Sequence, residues 1–161
     1  MACHDEHALE VKIEGCTTCQ ANVSSEEDLE TIRMTEGDFD GDGDDTEGIA
    51  GEIETANEAL YTAMQEYAVN TIGTGIVFEP HSYPYFFTNT NGKGEVDEDE
   101  AVYANAYATW TPSLLRAAYY YQWVDKDPGA FAHKGLYIKQ ILYDSLNEVG
   151  SDVSGMTRPE I

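Results

Sequence analysis

Five aspartates fall within eight residues, at Asp38, Asp40, Asp42, Asp44 and Asp45, with Gly41 and Gly43 between them and Glu47 and Glu52 just beyond. Carboxylates this close repel one another unless a cation joins them, and hard cations are held by such oxygens on glycine-turned loops. On the twelve-residue EF-hand pattern, Asp38, Asp40, Asp42 and Asp44 stand at positions one, three, five and seven, and Gly43 stands at six. Ile49 occupies the place of the closing glutamate, so closure must come from Glu47 or Glu52, on either side of a first helical turn. A second loop, 89–100, puts Asn89, Asn91 and Asp97 at positions one, three and nine, Glu95 at seven, Gly94 at six, the apolar Val96 at eight and Glu100 at twelve. Asn89 is neutral where aspartate is usual and Lys93 places a cation at a ligand position, so this loop is expected to bind more weakly. The expected ion is calcium at both loops, with magnesium a poor substitute in a flexible carboxylate ring.

Cys16-Thr17-Thr18-Cys19 has a spacing shared by redox dithiols, half a zinc site and c-type haem attachment. A zinc site would draw its remaining ligands from Cys3, His4 and His7. Haem attachment requires histidine directly after the second cysteine, and that residue is Gln20. His81 and His133 each lie among aromatic residues, where a distal haem ligand or a structural histidine capping a loop or helix end would both fit. No nucleophile, base and orienting residue converge in the pattern, and no phosphate-binding loop is present, so enzymatic activity is not expected.

The charge balance narrows the possible partners. Eight basic residues against 31 acidic ones give a net charge of -23, and no Lys or Arg occurs between Arg33 and Lys93, an interval holding twelve Asp and Glu. Such a surface repels phosphate, which argues against nucleic acid and against anionic membranes. No apolar run approaches the roughly 20 residues of a membrane span, and the basic-then-apolar pattern of a signal peptide is lacking.

The elements that must position these loops read as mainly helical: a small helical domain with two EF-hand-like calcium loops and an extended aromatic segment. Residues 1–23 form a cysteine-containing N-terminal segment with a candidate edge strand at 9–13. Residues 24–150 form the helical domain and 151–161 a flexible tail. Within the domain a short helix is expected after Ser25 as N-cap. A long one is marked by Ile49, Ile53, Ala56, Leu60, Met64 and Tyr67 at helical spacing. Gly48 and Gly51 weaken its opening, which must therefore be held by something else. Residues 76–88 are aromatic and marked by proline, suited to an extended segment. A short helix is expected over 97–109. Another starts at Thr111-Pro112 and runs to about 125, with a stripe of Leu115, Ala118, Tyr119 and Gln122. The last carries Leu136, Ile138, Ile141, Leu142 and Leu146 and ends near Gly150. Tyr119, Tyr120 and Tyr121 cannot share one face, so at least one must meet solvent or a partner.

The stretches 110–122, 127–133 and 137–146 resemble the C-terminal region of extracellular or outer-surface multihaem c-type cytochromes, and the likeness reaches back to the Asp38 loop. The resemblance implies an extracytoplasmic place, a role in electron transfer and a partner in the haem-bearing part of a longer cytochrome, with copies of the same chain as the alternative partner. It also makes Cys3-His4 the end of one haem motif, whose first cysteine would precede Met1. Cys16 to Gln20 becomes a second motif with its histidine replaced, and His133 a residue that could face a haem held elsewhere. The chain itself is then haem-poor or haem-free and stabilised by calcium.

Overall fold

A computed structural model describes residues 10–17 and 20–160. Two short helices come first, α1 (Ile13–Cys16) and α2 (Glu27–Glu30), followed by the long α3 (Ile49–Tyr67), whose last turn widens into a π-helical turn at Ala68–Ile72. A hairpin of β1 (Ile76–Phe78) and β2 (Phe86–Thr88) follows, and α4 (Pro112–Lys126) and α5 (Ala130–Glu148) complete the chain of elements. Helices dominate, as the sequence implied, and the extended aromatic segment becomes this hairpin.

The core lies where α3, α4 and α5 pack together. The apolar residues of α3 at steps of three and four bring Ile53, Ala56, Leu60 and Met64 to one face, and all are buried. Leu114, Ala117 and Ala118 of α4 and Ile138, Leu142 and Leu146 of α5 meet them. Ala56, Ala63, Ala117 and Ala118 keep the helices close where Leu and Met interdigitate. α4 begins as its sequence requires, with the Thr111 hydroxyl accepting the Leu114 N–H at 3.2 Å and Pro112 in the first turn.

Three expectations change. Residues 97–109 do not form a helix but a turn followed by a 3-10 turn at Tyr103–Asn105. The end of this stretch pairs with β2 instead: Ala106 bridges Phe87, the Tyr107 N–H donates to the Phe86 carbonyl at 3.0 Å, and the Asn105 side-chain amide donates to the Thr88 carbonyl at 2.8 Å. Ile13, the end of the expected edge strand, opens the helical turn α1. The buried stripe of α4 is displaced by one residue, with Leu114 fully buried while Leu115 and Tyr119 are exposed. Ala118 belongs to both the expected and the observed stripe, and in the tandem Leu114-Leu115 two identical side chains compete for the inward position. Among the three tyrosines, Tyr119 is the one turned out to solvent.

Residues 151–160 lie against the body. The Thr157 N–H donates to the Asp38 carbonyl at 2.6 Å, the Gln140 amide donates to the Pro159 carbonyl at 3.2 Å, and Arg158 holds Asp144 with two bonds of 2.7 and 2.8 Å.

Candidate metal centre

The acidic loop leads into the N-terminus of α3, and three features fix that junction. Gly48 passes so close to α2 that an added Cβ would stand 2.0 Å from the Glu30 carbonyl oxygen. The Ile49 N–H donates to the Ile32 carbonyl at 3.1 Å. Arg33 lies under the loop and donates to the Glu47 carbonyl at 2.8 Å, to the Gly37 carbonyl and to the Glu52 carboxylate. Sequence reasoning overlooked Arg33, although it is the last basic residue before the acidic interval.

The loop itself is wound by its own side chains. Asp38 accepts the N–H groups of Gly41 and Gly43, Asp40 accepts that of Asp42 at 3.1 Å, and Asp42 accepts that of Asp44 at 2.7 Å. Asp44 turns away to Thr46, taking its N–H at 2.8 Å and its hydroxyl at 2.6 Å. Gly41 and Gly43 take φ of 86° and 95°, which glycine adopts without a Cβ penalty. Phe39 points inward, with its ring under the Lys139 ammonium at 3.3 Å from the centroid and near the Arg33 guanidinium at 5.7 Å.

Two groups of carboxylates result. Asp38, Asp40 and Asp42 offer ligand oxygens within 4.8 Å of one another, and so do Asp40, Glu47 and Glu52. The second group is the deeper: Glu52 is fully buried and Asp40 only 9% exposed. Glu52 is spoken for by Arg33 and by the Phe39 N–H at 2.7 Å. Asp40 Oδ2 and Glu47 Oε1 are buried with no hydrogen-bond partner. A buried carboxylate oxygen without a donor is costly, and a cation between the two would satisfy both. Gly51 makes room for Glu47, since a Cβ there would meet Glu47 Oε2 at 2.4 Å. The two glycines that weaken the opening of α3 thus serve the contact with α2 and the carboxylate cluster.

The electrostatics agree with this geometry. Burial pushes Asp40 up to about 6; the Asp42 N–H opposes that rise, while the charges of Asp42 and Glu52 add to it. Glu47 is pushed up to about 7, by burial first and then by the charges of Asp40, Glu52 and Asp42. Burial also brings the Lys139 ammonium down to about 8, against the pull of Glu52. A divalent cation would reverse the strain on the two carboxyls, because it compensates both their burial and their mutual repulsion. Asp38, Asp40, Asp42, Glu47 and Glu52 are therefore brought together, with Asp44 set apart.

The second loop is built differently. Glu100 is buried and accepts the Thr90 N–H at 2.6 Å, the Thr90 hydroxyl at 2.8 Å, the Asn91 amide at 2.9 Å and the Asp97 N–H at 3.1 Å. Burial alone would raise it, but the Thr90 N–H and hydroxyl and the N–H groups of Asp97 and Asn91 hold it down to about 2. Asp97 accepts the Lys93 ammonium at 2.6 Å and the Asn91 amide at 2.9 Å. Asn89 accepts the Gly92 N–H at 2.7 Å, and Glu95 is exposed.

Of the candidate haem residues, Cys16 ends α1, half-buried, while Cys3, His4, His7 and Cys19 lie outside the described residues. Gln20 stands where attachment chemistry calls for a proximal histidine, so this motif does not fit a haem of the chain's own. His81 is exposed, its Nδ1 3.2 Å from Glu79 Oε1, and His133 is largely exposed, its Nδ1 3.7 Å from Asp127 Oδ1. They belong to separate elements, and each has an acidic neighbour.

No family model matches the sequence, and no solved structure matches it. Among curated proteins, it is 32% identical over 102 residues to the C-type polyheme cytochrome OmcB of Geobacter sulfurreducens strain ATCC 51573, and equally so to OmcC of the same strain. The matched stretch is 58% of this chain, and it spans 14% of OmcB and 13% of OmcC. The chain is thus related, over more than half its length, to a small part of these multihaem cytochromes.

Proposed function

We propose that the chain is a calcium-stabilised domain of an extracytoplasmic multihaem c-type cytochrome, serving electron transfer by supporting the haem-bearing part while carrying little or no haem itself. The observation that carries the calcium reading is the pair of buried, partnerless oxygens, Asp40 Oδ2 and Glu47 Oε1, in one cluster with Glu52. The similarity to OmcB and OmcC supports the association with electron transfer. Among the described residues no helix is long and apolar enough to cross a membrane. The role is binding and support, not catalysis.

In this reading Asp38, Asp40, Asp42 and Glu47 supply oxygens to the ion, and Glu52 joins the loop to α3 while neutralising Arg33. Without an ion, repulsion among these carboxylates opposes the compact turn that starts α3. An ion bound only to the folded state stabilises it by RT ln(1 + [L]/Kd), about 2.7 kcal/mol at one hundred times Kd. EDTA should therefore lower the Tm by several degrees and added calcium should restore it, with magnesium much less effective. Asp40→Asn with Glu47→Gln should abolish the response. Identical melting curves in calcium and EDTA, with no calcium found by elemental analysis after gel filtration, would defeat the reading. The haem part is tested by export in a host with full haem maturation: a haem-free domain stays colourless, whereas a Soret band surviving denaturation would assign covalent haem to this chain.

A second reading, a calcium-dependent self-assembly module, draws on Leu115 and Tyr119, one helical turn apart on α4 and both exposed. Light scattering with and without chelator separates the two, since strictly monomeric behaviour throughout argues against assembly.

A further inference from the structure

The two loops are copies of one turn. In register, Asp38 pairs with Asn89, Asp40 with Asn91, Asp42 with Lys93 and Asp44 with Glu95, and both loops have glycine at the fourth and sixth positions. The fourth-position glycines, Gly41 and Gly92, have φ of 86° and 74°. The hydrogen bonds repeat as well. The first side chain accepts from the fourth N–H (Asp38 from Gly41, Asn89 from Gly92), and the third accepts from the fifth (Asp40 from Asp42, Asn91 from Lys93). A buried glutamate further along accepts the second N–H: Glu52 takes that of Phe39 at 2.7 Å and Glu100 that of Thr90 at 2.6 Å. Glu52 and Glu100 are thus equivalent, although they stand at different distances along the chain.

Where the loops part is in what faces the acidic oxygens. In the first, Asp40 Oδ2 and Glu47 Oε1 are buried and have no donor. In the second, the third-position amide of Asn91 donates to both Asp97 and Glu100, and the fifth-position ammonium of Lys93 donates to Asp97. Both Glu100 oxygens accept from protein donors, as both Glu52 oxygens do, so the contrast lies in the third- and fifth-position side chains. A ligand already holding several N–H groups must give them up to receive an ion, and a fixed ammonium in the same ring repels a dication.

We propose that loop 89–100 is a cation-free counterpart of the acidic loop, in which the Lys93 ammonium and the Asn91 carboxamide stand in for the metal, so that these two residues set the chain's capacity at one calcium ion, not two. The first ion rests on the calcium reading of loop 38–52; the exclusion of an ion from the second loop by Asn91 and Lys93 does not. The test is calcium stoichiometry on the full chain, by isothermal titration with calcium chloride and elemental analysis after gel filtration, with circular dichroism to show that each variant is folded. Wild type should bind one ion, and Asp40→Asn with Glu47→Gln should bind none. Adding Asn91→Asp and Lys93→Asp in that background should raise the count from zero to one. An ion retained by the Asp40→Asn, Glu47→Gln protein and released on adding Glu100→Gln would place a site in the second loop and overturn the proposal. So would a folded Asn91→Asp, Lys93→Asp variant that gains nothing. If wild type binds no ion while the variant with a remade second loop binds one, the reading of the first loop fails and this one stands.

Discussion

Single side chains carry the distinction between the two loops, and Gly51 shows how finely. Alanine is the better helix former by about 1 kcal/mol, so on helix propensity alone Gly51→Ala should stabilise α3. Its Cβ would, however, lie 2.4 Å from Glu47 Oε2 and push that carboxylate out of the cluster. The expected result is a Tm unchanged or raised in EDTA, together with a calcium affinity weakened by about tenfold, or about 1.4 kcal/mol. Melting curves with and without calcium check both signs, and a variant that binds calcium as tightly as wild type would remove Glu47 from the ligand set. Glu100 gives a second test at this scale. Its folded-state pKa, about 2, lies below its ordinary value, so the stability it contributes is present above about pH 4.5 and is lost as pH falls toward 2. Glu100→Gln should cost on the order of 2 kcal/mol at pH 7, because it removes a buried charged acceptor from several donors. The cost should shrink toward pH 2, as denaturant titrations at the two pH values would show.

At the scale of the element, α4 corrects the stripe that periodicity placed on Leu115 and Tyr119. Leu114 is fully buried and Leu115 is 53% exposed, although the two are adjacent and identical in type. Leu114→Ala should cost about 3 kcal/mol through lost burial and the cavity it leaves, whereas Leu115→Ala should cost under about 1 kcal/mol. Urea denaturation of the two variants would reverse the assignment of the faces if the order came out the other way. Thr111→Ala should remove the cap on the same helix at a cost of about 1 kcal/mol. The opening of α3 is the contrasting case. It has no side-chain cap, and its first turns contain two glycines, so Arg33, the backbone just after α2 and the acidic loop hold it in place.

Across the whole molecule, the acidic loop joins segments far apart in sequence. Behind it, Lys139 of α5 covers the Phe39 ring, and in front, the Thr157 N–H bonds to the Asp38 carbonyl, while a Cβ on Gly41 would touch Met156 at 2.9 Å. The tail therefore braces the loop from outside. Removing residues 154–161 should lower the Tm by a few degrees and weaken calcium binding, because the Asp38 turn loses its outer support and Arg158 no longer pairs with Asp144. Calcium titration of the truncated chain checks this, and unchanged affinity would make the tail irrelevant to the loop. The net charge of -23 adds a general repulsion that any bound dication relieves.

Much of this could be read from residue order because it depends on near neighbours. The spacing of Ile53, Ala56, Leu60 and Met64 places the buried face of α3, Thr111-Pro112 starts α4, and glycines between alternating aspartates define a turn that gathers carboxylates. What depends on distant groups could not be read. Residues 97–109 look helical locally, yet the Tyr107 N–H and the Asn105 side chain find their partners on β2. The faces of α4 are decided by what α3 and α5 leave to be filled. Glu100 looks like an ion ligand by position and is occupied by donors that only the folded loop brings to it. Arg33 and Lys139 carry no motif at all, and their importance arises because folding sets two cations beside Phe39 and Glu52. The number of carboxylates at Asp38 to Glu52 is a property of the sequence. Which of their oxygens remain buried without a partner is a property of the tertiary structure, because burial and hydrogen-bond competition exist only once the chain has closed around them.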